Sequence, residues 1–273
     1  MKITLQHYPN QKIPGLLPRD VWVWTPPQYD LDPQGHFPVI YMHDGQNLFY
    51  PEKSYTNITW GVAEAITKLS GWGFIQPAIV VGIDNTENRM GDYLPTRPFE
   101  TPEGVAFIAQ LKEESAEELE QFDFVADLYL KLIVEKIKPQ VDANFRTLAD
   151  RNHTLVMGSS MGGLISLYAL VEYPQVFGKA GCFSTHWPIL NQFIAPYLKE
   201  NLPEAGDHRI YYDLGTAGYD AEYAELQGIV DDVMREKGYA HGEDWMTRLA
   251  PGADHHEHAW RSRIHVALRF LLA

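Results

Sequence analysis

Cysteine is nearly absent: Cys182 is the only one in 273 residues. That excludes an internal disulfide and any metal site built from several thiolates. A lone cysteine in an apolar run reads as a small buried hydrophobe. Basic charge is scarce too, with 22 Lys and Arg against 36 Asp and Glu, a formal net charge of −14. A phosphate backbone is gripped by a basic patch, and the longest charged stretch, residues 112–120, carries the opposite sign. Nucleic acid is therefore excluded as a partner, and the acidity is read as solubility. No apolar run approaches 18 residues, so no helix is expected to span a membrane and no membrane partner is expected. The amino terminus, Met1-Lys2-Ile3-Thr4 with Pro9 close behind, lacks the apolar core of a secretory signal. The expectation is a soluble, cytoplasmic protein.

What is present is a core-forming composition, 45% hydrophobic and 21% charged. Short β-rich runs alternate with longer stretches of helical period, which is the pattern of an α/β fold around a mostly parallel sheet with helices on both faces. Strands are expected at 2–7, 20–25, 37–43, 77–83, 153–157, 179–184, 209–214 and 245–249. The runs Val39-Ile40-Tyr41-Met42 and Ala78-Ile79-Val80-Val81 are apolar throughout, as suits strands covered on both sides. Leu130, Ile133, Val134, Ile137 and Val141 follow helical spacing, with Pro139 expected to kink or restart the helix. Met161, Leu164, Ile165 and Tyr168 repeat that spacing after a Gly-rich turn. Two more helices are expected at 220–236, with Asp220 a candidate cap, and at 257–272. No repeat or long linker divides the chain. It is read as one domain, 1–273, with a lid-like insertion around 93–122 that is either a pocket wall or a solvated helix.

The strongest chemical signal is Gly158-Ser159-Ser160-Met161-Gly162, placed between an apolar strand and an apolar-periodic helix. A serine on a sharp strand-to-helix turn is held in strained backbone, its hydroxyl raised above the sheet. Glycines two residues to either side let strand and helix approach. This is the nucleophile elbow of the α/β-hydrolase fold, and it makes Ser160 the candidate nucleophile. The helix that follows aims its amino terminus at the site, so the Met161 amide becomes a candidate oxyanion donor.

A serine hydroxyl needs an adjacent base. In this chain order the base comes last, and Gly252-Ala253-Asp254-His255-His256-Glu257-His258 lies after the last expected strand. His255, earliest on the loop, is favoured over His256, and His258 is read as a helix-start residue. His-His-Glu-His is not the two-ligand helical spacing of a zinc site, so no metal and no cofactor is expected. The acid should follow the preceding strand. Asp220, on the Gly-rich loop past 209–214, suits this better than Asp213, fixed inside the strand, or Asp254, which adjoins the base. The loop after an early central strand, His43-Asp44-Gly45-Gln46-Asn47, offers the Gln46 amide as second oxyanion donor. Asp44 and Asn47 are expected to brace it through bonds to backbone.

The segments at 41–49 (YMHDGQNLF), 82–95 (GIDNTENRMGDYLP), 158–163 (GSSMGG), 211–220 (YYDLGTAGYD) and 255–260 (HHEHAW) resemble an esterase family. That family includes esterase D-like enzymes, enterobactin esterase-like siderophore esterases, feruloyl esterase domains and mycolyltransferases. The resemblance runs from about Arg19 to the end, in the family's order. It implies Ser160 as nucleophile, Asp220 as acid, His255 as base and the Gln46 and Met161 amides as oxyanion hole. His255, Glu257 and Trp260 fit the family's spacing. Some siderophore esterases of the family work with a Ser-His pair, which leaves the need for the acid open. Arg89 and Tyr93 match positions that line the pocket in relatives, where they would hold a carboxylate or sugar hydroxyls. A structural Arg paired with local acids is the other reading.

The function expected is hydrolysis of a small-molecule ester through an acyl-enzyme on Ser160. The substrate expected is a short acyl, sugar-linked, feruloyl or siderophore ester. The alternatives are an acyltransferase of the same fold and, in another class, an inactive hydrolase-fold binding protein.

Overall fold

In a computed structural model, residues 5–114 and 122–273 are described. Eight strands form one sheet: β1 Leu5–Gln11, β2 Arg19–Trp24, β3 Val39–His43, β4 Ile79–Ile83, β5 Thr154–Ser159, β6 Lys179–Phe183, β7 Arg209–Gly215 and β8 Trp245–Ala250. Their order is β1-β2-β4-β3-β5-β6-β7-β8. The pairs β1–β2 and β2–β4 are antiparallel, and every later pair is parallel. Each expected strand is found, the first shifted later, since residues 2–4 lie outside the described residues.

Alternation along the strands separates two apolar layers. Val39, Tyr41, Val156, Ala180, Ile210 and Tyr212 face one way, and Ile40, Met42, Leu155, Met157 and Tyr211 face the other. A period of two on a strand buried on both sides produces this division. The helices are α1 Gln28–Leu31, α2 Val62–Gly71, α3 Arg89–Tyr93, α4 Pro102–Glu114, α5 Ala126–Leu132, α6 Lys138–Asn144, α7 Met161–Glu172, α8 Ile194–Asn201, α9 Ala224–Glu236 and α10 Glu257–Leu272. The first layer is covered by α5 to α9 and the second by α2 and α10. Free Cys182 is fully buried, and burial pushes its thiol well up, so it stays protonated.

Pro139 restarts its helix by an unexpected route. It falls in the first turn of α6, and the preceding Ile133–Ile137 is a π-helical turn. Proline supplies no N–H to the carbonyl four residues back, and a wider turn absorbs the gap. Leu130, Ile133, Ile137 and Val141 stay buried through the change.

The order β4-β3-β5 puts a topological switch point at the carboxyl ends of β3 and β5, where open α/β sheets leave a crevice. One side of that crevice is braced by a buried ion pair. Arg19 Nη1 on β2 donates to Asp92 Oδ2 on α3 at 3.0 Å, with both side chains essentially inaccessible. Asp92 also accepts from Thr86 Oγ1 and Asn88 Nδ2. Arg19→Met would strand a buried carboxylate, so it is expected to cost about 3–5 kcal/mol. Urea unfolding checks this; a loss below about 1 kcal/mol would mean that the neighbouring donors suffice for Asp92.

Candidate active site

β5 runs into Ser160, which opens α7 at φ 57° and ψ −123°. That backbone is strained for a residue with a Cβ and persists because its surroundings hold it. The Ser160 N–H donates to the Phe183 carbonyl at 2.9 Å, and the His186 N–H donates to the Ser160 carbonyl at 3.2 Å. Gly158 is required by contact: a Cβ there would meet the Gly162 carbonyl oxygen at 2.6 Å. Met161 is the first residue of α7, where backbone amides lack intrahelical acceptors.

From β7 the chain enters a 3₁₀ turn, Gly218–Glu222, that carries Asp220. Asp220 does not cap α9, whose cap position is Tyr223 with no side-chain bond. Its carboxylate turns inward and is fully buried. Oδ1 faces His255 Nδ1 at 2.6 Å, while Oδ2 accepts from the Gly215 N–H and the Ser184 hydroxyl, each at 2.6 Å. Burial pushes this carboxyl up, but the bonds from His255, Ser184 and Gly215 outweigh it and hold it below its ordinary value. Its stabilising contribution is therefore complete above the unfolded carboxylate value and lost as pH falls through the lower, folded one. An ionised carboxylate only accepts, so His255 Nδ1 carries the proton and Nε2 is left as an acceptor.

Three aromatic rings stand edge-to-face around His255: Trp260 at 5.1 Å, Tyr223 at 5.7 Å and Tyr219 at 6.3 Å. His256 has another occupation. It caps α10, its Nδ1 accepting from the His258 N–H at 3.3 Å.

Ser160 and His255 share a cleft of about 390 Å³. Among the described residues no hydrogen bond joins them; such contacts commonly tighten only when substrate is bound. The remaining walls include Gln46, Tyr55, Thr56, Asn85, Arg89, His256, Glu257 and Trp260. Gln46 lies in the 3₁₀ turn Gly45–Asn47 after β3, and its Oε1 accepts from the Asn85 N–H at 3.1 Å. Gly45 is obligatory there, because a Cβ would lie 2.6 Å from the backbone of β4.

Asp44 braces the loop differently from expectation. Its carboxylate binds side chains, Arg89 Nε at 2.7 Å, Arg89 Nη2 at 2.8 Å and Asn85 Nδ2 at 2.6 Å. Asn47 does bind backbone, accepting from the Tyr55 N–H at 3.0 Å. Arg89 is thus paired to a local acid and also presents itself at the cleft, its side chain one-third exposed. Tyr93 is not on the wall. It is fully buried, and its hydroxyl accepts from the Asp44 N–H at 3.2 Å. The resemblance marked Tyr93 as pocket-lining, but packing buries it beneath Asp44.

The insertion at 93–122 contributes no wall to this cleft among the described residues; its acidic end, 115–121, lies outside them. The part described, with α4, encloses a separate apolar hollow of about 210 Å³ lined by Leu94, Phe99, Ile108 and Phe124 among others. Among the described residues no cluster of three His, Cys, Asp or Glu is placed to hold a metal, and no helix is long and apolar enough to cross a membrane.

A strained serine between strand and helix at the switch point, with an Asp-His pair arriving from later strands, is the arrangement that defines an α/β-hydrolase. Known proteins agree. A Bacillus subtilis (strain 168) protein named "Uncharacterized protein YbbA" is 24% identical over 259 residues, 91% of this chain and 90% of that one. The "Ferri-bacillibactin esterase BesA" of the same organism is 26% identical over 187 residues, 66% of this chain and 59% of its own. A solved ferulic acid esterase superposes with a TM-score of 0.69 at 16% identity, covering 100% of this chain and 99% of that one. The chain belongs to the family described as "Putative esterase", whose model matches residues 18–271, and it is a carboxylic ester hydrolase.

Proposed function

We propose that the enzyme is a serine esterase working through an acyl-enzyme on Ser160, with His255 as general base and Asp220 as its orienting acid. One observation carries this reading: the 2.6 Å bond from His255 Nδ1 to buried Asp220, made in the same cleft that the strained Ser160 faces. In the first half-reaction Ser160 Oγ attacks the ester carbonyl carbon while His255 Nε2 takes the hydroxyl proton. The Met161 and Gln46 amides receive the negative charge that develops on the carbonyl oxygen. Collapse expels the alcohol, protonated by His255. Water then attacks the acyl carbon by the same route, returning the proton to Ser160 and releasing the acid.

The cleft wall supports one class of substrate. Gln46, Thr56, Asn85, Arg89 and Glu257 line the cleft, and the exposed Tyr55 ring stands at its rim. Such a surface suits an ester bearing hydroxyl or acidic groups, with an aromatic or sugar ring at the mouth, over a plain long-chain ester. The relatives named as ferulic acid and ferri-bacillibactin esterases support that choice. Fluorophosphonate is expected to label the enzyme, with the adduct on the peptide holding Ser160. Acetyl and butyryl p-nitrophenyl esters should turn over at least 10-fold faster than the palmitoyl ester. Labelling elsewhere would reject the nucleophile, and preference for palmitate would reject the polar pocket. Transfer to an added alcohol in preference to water would make the enzyme an acyltransferase.

A further inference from the structure

The carboxylate of Asp220 stands in a buried cluster that no step of acyl transfer uses. Ser184 follows β6 in left-handed backbone, φ 41°, with its N–H held by the Asp213 carbonyl at 2.8 Å. Its hydroxyl donates to Asp220 Oδ2 at 2.6 Å and accepts from Trp260 Nε1 at 2.9 Å and Arg263 Nη2 at 2.7 Å. One donor and two acceptor positions are the whole capacity of a hydroxyl, so the Ser184 proton has one place to go. Arg263 Nε donates to Asp213 Oδ2 at 2.9 Å, and the Tyr211 hydroxyl donates to the same oxygen at 3.1 Å. Arg263 Nη2 lies 3.7 Å from Asp220 Oδ2, with the Ser184 oxygen nearer.

Two buried carboxylates thus surround one guanidinium, and which of them takes it decides how strong a partner is left for His255. We propose that Ser184, Arg263 and Asp213 are positioning residues that divide this charge: Asp213 holds the guanidinium, Ser184 keeps it off Asp220, and the Asp220 charge is left to His255. The proposal rests on the reading of Ser160, His255 and Asp220 as the catalytic set. Its consequence is electrostatic. An Asp220 paired directly with Arg263 would stabilise the imidazolium less, making His255 a weaker base. The other ionisable groups facing His255 are His186, Tyr219 and Tyr223 from the loops after β6 and β7, Asp254, His256 and Glu257 from its own segment, and Arg89 across the cleft. They are common to every variant below, so they do not alter the comparison.

The test is the pH profile of kcat/KM for p-nitrophenyl acetate, normalised to fluorophosphonate-reactive sites. Asp213→Asn releases Arg263 to pair with Asp220, and the acid limb is expected to move to lower pH by about one unit, the size of one charged hydrogen bond gained. Ser184→Gly, which suits the left-handed backbone and so keeps the test open if Asp213→Asn does not fold, moves the limb the same way. Arg263→Lys keeps a charge on Asp213 but lacks the second prong, and the limb moves to higher pH. In Asp213→Asn and Ser184→Gly kcat falls while KM holds. Purely structural damage scales the rate of every pH point and leaves the limb in place. Unmoved limbs in folded variants, or shifts of one sign in all three, would overturn the division of charge. A wild-type enzyme that fluorophosphonate does not label would instead overturn the serine-esterase reading beneath it.

Discussion

Ser160→Ala is expected to lower kcat for ester hydrolysis by about 10⁶-fold, leaving KM within a few-fold and abolishing fluorophosphonate labelling. The size follows from what is removed. The hydroxyl lost is the one carried on the strained turn after β5, in the cleft that His255 shares. The residual rate is that of water attack helped by the oxyanion donors alone. A stability measurement separates this from damage to the fold. Alanine keeps the Cβ that makes φ 57° costly, so the Ala variant should unfold with the wild type. Ser160→Gly relieves the strain and should be more stable by about 1 kcal/mol while equally inactive. Ester turnover surviving in either variant would move the nucleophile elsewhere.

The elements that sequence displayed are those whose signal is local. A fully apolar strand such as Val39-Ile40-Tyr41-Met42 announces burial on both faces by itself, and the Gly-x-Ser-x-Gly turn carries its steric reason within five residues. The acid and base could be ordered by position along the chain, because the fold delivers them from successive loops. What stayed hidden depends on contacts between distant segments. Ser184 is one more hydroxyl after a strand until Trp260 and Arg263, from the last helix, converge on it. Tyr93 looked like a wall residue, yet α3 turns it inward beneath Asp44. A helix cap was the alternative reading of Asp220, and the Gly215 and Ser184 donors, at two different strand ends, turn its carboxylate inward instead. Likewise the π turn before Pro139 preserves the burial stripe, so periodicity alone gave no sign of it.

Asp220→Asn is expected to reduce kcat at pH 7 by about 10⁴-fold with little change in KM. The loss comes from a forced choice of tautomer. In the native enzyme Oδ2 accepts from the Gly215 N–H and from Ser184, whose hydroxyl hydrogen is directed there because Trp260 and Arg263 occupy its acceptor side. An amide placed in this pocket must set its oxygen at the Oδ2 position, since its NH₂ would meet two donors there. The NH₂ then faces His255 Nδ1, where the native oxygen lies at 2.6 Å. That contact is satisfied only if Nδ1 gives up its hydrogen, which moves the imidazole proton to Nε2 and removes the acceptor that Ser160 needs. Raising the pH cannot restore it, because the fault is the position of the proton and not the charge of the ring. A loss of less than about 10-fold would show that a Ser160–His255 pair suffices in this enzyme, with Asp220 serving the fold; a loss recovered at alkaline pH would mean that the amide had turned over, and that the Ser184 proton does not point where its partners require.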